Sequence, residues 1–255
     1  MRFSLPTSEA EGHTVAVTGL SSVTGRNRLL DALQADACAL LEPHLKEFAL
    51  DQGALLQEQG EKIEYVYFPQ RGMISLLAVL KHGDAIETAT VGREGAVGAM
   101  SGLGLRISFT RARVQMPGVA LRIATARFQK AIEESAGIRD AVIRYNELLL
   151  VQVQQAAACN ALHDVQQRLC RWLLQTRDRT DTDIIPYTQE FLAQILGVRR
   201  TTVSQIARQL QKSGAIRYHR GRIEITDRKK LENAACECYG IVRRQTEQYL
   251  PRVRD

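Results

Sequence analysis

TQEFLAQILGVRRTTVSQIARQLQKS, residues 188–213, carries two apolar patterns at helical spacing with a single glycine between them. Leu192, Ile195, Leu196, Val203, Ile206 and Leu210 fall on one face. Ala193 is small where two helices must approach closely. Gly197 stands where the turn demands a positive φ, which glycine adopts without steric cost. The opposite face of the second helix carries Arg199, Arg200, Thr201, Thr202, Ser204, Gln205 and Arg208. Such side chains bond phosphates and base edges. An ordinary helical hairpin with a solvated face would share the periodicity. It would not require the small residue, the glycine and the basic helix start at these offsets. The pattern is that of a helix-turn-helix, whose second helix lies in the major groove of DNA.

Charge placement agrees. The 255-residue chain has a formal net charge of +6. Ten Lys/Arg and three Asp/Glu lie between Tyr187 and Lys230, so this segment alone carries +7 and the rest about −1. The positive field is concentrated where it would displace counterions from DNA. A basic surface also suits anionic lipid, but no apolar run approaches the roughly 20 residues that span a bilayer. MRFSLPTSEAEGHT lacks the apolar core of a signal peptide. A soluble, cytoplasmic protein with no membrane partner is expected.

The five cysteines, Cys38, Cys159, Cys170, Cys236 and Cys238, are odd in number and scattered, so no disulfide framework is implied. Cys236-Glu237-Cys238 is open to reading as a metal or redox pair with a partner elsewhere; the two are read here as ordinary thiols on a C-terminal helix. The histidines do not approach one another at metal-ligand spacing. His163 reads as a helix-start residue and His219 as part of a loop near DNA. No metal, cofactor or catalytic residue is expected. No GxSxG, P-loop, HExxH or GxGxxG occurs, and no Cys–His or paired-carboxylate arrangement stands out, which disfavours an enzyme.

Residues 1–26 are polar and aperiodic and read as a flexible arm. A helical pattern starts at Asn27 and is broken at Pro43. From Ala49 to Thr125, short apolar runs alternate with glycine-containing turns. YVYFP (65–69), MISLLAVL (73–80), AIETATV (85–91) and VALRI (119–123) read as strands of a β-roll. A short helix, ARFQKAIEES, follows. The next helix, 138–163, places Ile138, Val142, Tyr145, Leu149, Ala156 and Cys159 roughly on a heptad seam, expected to meet the same helix of a second subunit. Ile143, Leu148, Leu150, Val151 and Val153 cover its other faces, so it must be buried on several sides. A helix over 165–176 and a charged connector, TRDRTDTD, lead to the reading head. AIRYHRGRIEIT alternates around Gly221 like the hairpin of a winged helix, with Arg220 joining the DNA-binding residues. The tail, 227–255, reads as charged and helical, with Leu231, Ile241, Val242 and Leu250 as weak anchors. The chain is therefore expected to be α+β. A β-roll sensor domain (27–136) follows the arm, then a long dimerisation helix (137–162) and a winged helix-turn-helix with its tail (163–255).

From about Asn27 to Ile225 this order resembles the Crp/Fnr family of bacterial transcription regulators, most specifically in the reading head and in HDVQQRLCRWLL. The resemblance implies a cyclic-nucleotide-binding-type sensor fold, a homodimer, and a small signal that shifts the placement of two reading heads. It implies a sequence-specific transcription regulator whose partners are double-stranded DNA and a second copy of itself. Arg200 matches the family arginine that reads guanine. Thr201 replaces an acidic residue, and Gln205 stands where a basic base-reader is usual; glutamine suits adenine better. Thr188 is placed to cap the first helix and face a phosphate, with Gln189 beside it.

The sensor departs from the family pattern. Cyclic-nucleotide binders carry a Gly-Glu pair and then an arginine before Ser/Thr and a small residue. VGREGAVGAMSGLGLRISFTRARVQ has no such pair before its loop. If Ala112 matches the small residue, Thr110 replaces the phosphate arginine. Arg111 is then off by one and faces the other side of the strand unless a bulge intervenes. Glu94, Arg106 and Arg111 are the candidates for binding another anion. No cysteine precedes Cys38 to hold an iron–sulfur cluster, and His82 lies in a KHGD turn rather than at a haem site. A degenerate or non-cyclic-nucleotide sensor is expected, one that binds an unknown small-molecule effector, answers to another protein or binds nothing. The alternatives are a cyclic-nucleotide-responsive factor and a binding module whose winged helix mediates protein contacts. Activation would also need a surface for RNA polymerase, which the sequence does not locate.

Overall fold

The computed structural model describes residues 27–219 and 221–250. The arm, 1–26, and Arg220 lie outside the described residues. Asn27 caps α1 (Arg28–Asp31) by accepting from the Leu29 and Leu30 amides. Its own amide group donates to the carbonyls of Pro69 and Gly95, each at 2.8 Å, which ties the helix to the sheet. The helical stretch is split after Asp31 and ends, as the sequence suggests, at the turn around Pro43. After α2 (Ala35–Leu41) and a 3-10 turn (Glu42–His44) around Pro43, the chain extends into β1 (Lys46–Leu50).

The roll continues with β2 (Leu55–Gln57), β3 (Tyr65–Val79), β4 (Ala85–Val91) and β5 (Arg111–Ala124). The strand order is β1-β5-β3-β4, with β2 also on β5, all antiparallel. YVYFP and MISLLAVL are one strand, not two. β3 bends through register shifts between Pro69 and Ile74 instead of stopping. At the bend a Cβ on Gly72 would lie 2.7 Å from the Met116 carbonyl oxygen, and one on Gly118 would lie 2.2 Å from that of Arg71. Glycine at both positions lets the two backbones cross this closely. β5 begins well before VALRI, at Arg111: Ala112 and Val114 turn inward on either side of Arg113, and Gln115 and Met116 are both buried at the bend.

A 3-10 turn (Ala99–Leu103) packs under α3 (Thr125–Glu134). Then come α4 (Ala136–Leu162), α5 (Val165–Thr180), β6 (Ile184–Ile185), α6 (Gln189–Leu196) and α7 (Arg200–Lys212). β7 (Ile216–His219), β8 (Arg222–Ile225), α8 (Arg228–Ala234) and α9 (Cys238–Tyr249) complete the described chain. Asp164 and Gln167 close a capping box at the start of α5. α5 also absorbs the first half of the expected connector, because Arg179 is buried.

The roll and the winged part share a core. Met73 and Met116, at the bend of the roll, pack with Leu169, Trp172, Leu173, Leu192 and Val203. The Trp172 indole N–H donates to Glu87 Oε1 of β4 at 2.9 Å, and the Tyr187 hydroxyl donates to the Gln115 carbonyl. α9 returns along α4 and seats Leu250 in the core beneath the roll, so the tail is more firmly held than its sequence suggests.

The face of α4 assigned to a partner is turned inward. Ile138, Val142 and Tyr145 are buried against Phe68, Phe128 and Ile132 of the same chain. Leu149 packs on the roll interior and Ala156 is half-buried. The side chains facing out are instead Ile143 and Leu150, followed by Ala157 and Ala161. A helix apolar nearly all round offers two heptad seams, and the roll takes the one expected of the partner.

Candidate nucleic-acid interface

The reading head is assembled by local chemistry. Thr188 accepts from the Phe191 amide at 3.2 Å and caps α6. Gly197 ends α6 at φ +66°. Leu192, Ala193 and Leu196 of α6 meet Val203, Ile206 and Leu210 of α7, all buried. That packing leaves the other face of α7 in solvent. Arg199, Arg200, Thr201, Gln205 and Arg208 are exposed, as is Thr188, while Gln189, Thr202 and Ser204 are half-buried. The amide groups and dipole at the start of α7 add positive potential beside Arg199 and Arg200.

Two contacts organise this surface. The Ser204 hydroxyl donates to Gln189 Oε1, linking the two helices. The Arg200 Nε lies 2.7 Å from Glu190 Oε1, with both side chains more than half exposed. Glu190 is a competitor for Arg200 that the sequence pattern does not reveal. The β7–β8 hairpin turns at Gly221, φ +76°, and exposes His219 and Arg222.

The sensor half has a partly open cavity of about 200 Å³ between the roll and α4. Leu76, Val97, Met100, Thr110, Tyr145 and Leu149 are among its lining residues, and among the described residues no Asp, Glu, Lys, Arg or His lines it. Of the three residues singled out for an anion, none lines it. Arg111 turns outward, its Nε 2.9 and 3.0 Å from the Glu58 carboxylate oxygens. Its pairing with Leu77 runs on regularly to Ala112 opposite Leu76, so on β3 no bulge turns it inward. Arg106 is exposed. Glu94 faces Arg179 of α5, with Oε1 2.7 Å from Nε. These three residues are not brought together.

The cysteine and histidine placements also differ from expectation. His163 caps the end of α4, and Asp164 starts the next helix. Cys159, His163, Cys236 and Cys238 converge where α4 meets α9, with their ligand atoms all within 4.8 Å of one another. The spacings Cys159-x-x-x-His163 and Cys236-x-Cys238 are the sequence signal for this cluster, but only the packing of α9 on α4 unites them.

A roll that shares its core with a winged helix-turn-helix, whose polar face is exposed to solvent, defines a DNA-binding transcription regulator. Residues 47–135 match the model of the cyclic nucleotide-binding domain, and residues 167–234 match that of the Crp-like helix-turn-helix domain. The chain belongs to the Crp/Fnr family of transcription regulators. A solved structure described as a Crp/Fnr-family regulator from Eubacterium rectale is 17% identical, with a TM-score of 0.63 over 81% of this chain and 96% of that one. FixK2 from Bradyrhizobium japonicum is 17% identical, with a TM-score of 0.64 over 75% and 98%. The c-di-GMP responsive regulator CLP from Xanthomonas campestris is 16% identical, with a TM-score of 0.62 over 76% and 100%. At these identities the likeness is one of fold. No curated protein matches. No helix among the described residues is long and apolar enough to cross a membrane.

Proposed function

We propose that this regulator binds double-stranded DNA as a homodimer and that its sensor cavity takes an uncharged, largely apolar small molecule instead of a cyclic nucleotide. The observation that carries the DNA reading is the solvent-exposed, basic face of α7. Arg200 is assigned to a guanine and Gln205 to an adenine, by the geometry of bidentate contacts. Thr188, Gln189, Arg199, Thr201, Thr202, Ser204 and Arg208 hold the register through phosphates and neighbouring base edges. Arg220 would join them from the wing. Nothing in this assignment calls for catalysis. Support for the dimer comes from the outward stripe of α4. Ile143 is 42% and Leu150 52% exposed, and Ala157 continues their heptad spacing. The sensor reading rests on the uncharged lining that the described residues give the cavity: a phosphate placed there would find no cation among them to offset its desolvation.

Titration of a labelled promoter duplex at increasing salt tests the DNA reading. With six to ten phosphate contacts, affinity should fall by about 10³–10⁵ between roughly 50 and 200 mM salt. A salt-independent affinity would instead indicate a winged helix used for protein contacts. Cyclic AMP added to the same protein should leave its thermal midpoint unchanged; a saturable rise would restore the cyclic-nucleotide reading.

A further inference from the structure

Three buried thiols and one imidazole meet at the end of the longest helix, and the established reading of the chain gives them no role. Cys159 and His163 are one turn apart, so the last turn of α4 presents both on one face. Cys236 lies in the loop between α8 and α9, and Cys238 is the first residue of α9. Cys159 Sγ is 3.5 Å from Cys236 Sγ, and Cys238 Sγ is 3.5 Å from His163 Nδ1.

We infer that Cys159, His163, Cys236 and Cys238 form a tetrahedral site for a zinc-type divalent cation, which clasps α4 to α9. Bonds of about 2.3 Å to sulfur and about 2.1 Å to nitrogen put tetrahedral ligands about 3.8 Å apart for two sulfurs and about 3.6 Å for sulfur and nitrogen. The two 3.5 Å separations already lie close to these, and the remaining pairs, all within 4.8 Å, must close by up to about 1 Å as the cation draws the ligands in. Surrounding groups match what such a cation requires. The second ring nitrogen of His163, Nε2, lies 3.3 Å from Glu237 Oε2, the carboxylate–histidine arrangement that orients a metal-bound imidazole. Gln155 Nε2 donates to Cys238 Sγ at 3.0 Å, a bond that favours the thiolate. Cys238 also sits at the positive end of α9. Buried thiols that merely fill space act as small apolar groups and need neither partner. Four protein ligands leave no open position, so the site is structural, not catalytic. It lies beside the break between α4 and α5, where the long helix hands over to the reading head. Occupancy would therefore fix that junction.

The test is Co²⁺ titration of the reduced, full-length protein. The expected result is one Co²⁺ per chain, with thiolate charge-transfer and tetrahedral d–d absorption, displaced by Zn²⁺. Cys236→Ser should lose the charge-transfer bands of its thiolate and bind much more weakly, whereas Cys38→Ser should behave as wild type. Glu237 is largely exposed, so Glu237→Ala should fold normally and lower the affinity about 10–100-fold. A reduced chain that shows no thiolate-to-cobalt absorption would overturn the inference. So would a spectrum identical in Cys236→Ser and wild type, or a protein that forms a Cys159–Cys236 disulfide on oxidation but takes up no metal when reduced.

Discussion

Arg179 of α5 lies with its Nε 2.7 Å from Glu94 Oε1 of the roll, and both side chains are nearly closed to solvent. The same guanidinium bonds Gln152 Oε1 of α4 at 2.9 Å, and Gln152 in turn donates to the Thr90 carbonyl of β4 at 3.0 Å. Sensor, long helix and winged part are thus joined through one buried cation. A shift of α4 against the roll must break or carry this network.

Removing the cation should cost much more than the pair contributes, because Glu94 would be left charged and unpaired. Arg179→Met is expected to lower stability by about 3–5 kcal/mol, read by urea unfolding. Adding Glu94→Gln should recover part of that loss. Additive losses in the double variant would show that the two residues act independently.

Glu87 supplies a pH dependence. Enclosure of its carboxyl between Ser75 and Trp172 raises its pKa above the ordinary 4.5, although both hydrogen bonds act in the opposite direction. The folded chain therefore holds this proton over a range where the unfolded chain has released it. The associated stability is present below about pH 4.5 and is lost as pH rises through the folded value. Glu87→Gln keeps an acceptor for Trp172 and should flatten this decline, measured as unfolding midpoints over a pH series. An unaltered slope would remove Glu87 from the account.

The outward stripe of α4 makes the dimer testable. Leu150→Glu places a charge at the centre of the proposed seam and should yield a folded monomer by light scattering. Leu149→Glu, on the roll side, should instead destabilise the fold. A Leu150→Glu protein that remains dimeric would place the interface elsewhere.

Legibility followed the range of the interactions. The α6–α7 unit could be read residue by residue, because Ala193, Gly197 and the apolar spacing act within one turn and its neighbours. The roll was read in part. Pro69 and Gly72 looked like a break, whereas β5 supports β3 through the bend. β1 and β2 are too short to show a period. The face of α4 could not be chosen from sequence, since both seams are apolar and only the position of the roll distinguishes them. Arg179 looked like part of a solvated connector until its partners, Glu94 and Gln152, were brought from distant segments. The Cys–His cluster has the same origin: two short spacings united by the return of α9 along α4.

The central claim is that α7 reads base edges through Arg200, and selection from random duplex DNA by wild type and Arg200→Ala tests it most directly. Wild type should enrich a two-fold symmetric site with a guanine at a fixed place in each half. Arg200→Ala should bind the same symmetric site but lose preference at that one position, a change of about 1–3 kcal/mol in discrimination. Recovery of the same site with the same guanine preference by both proteins would contradict the account.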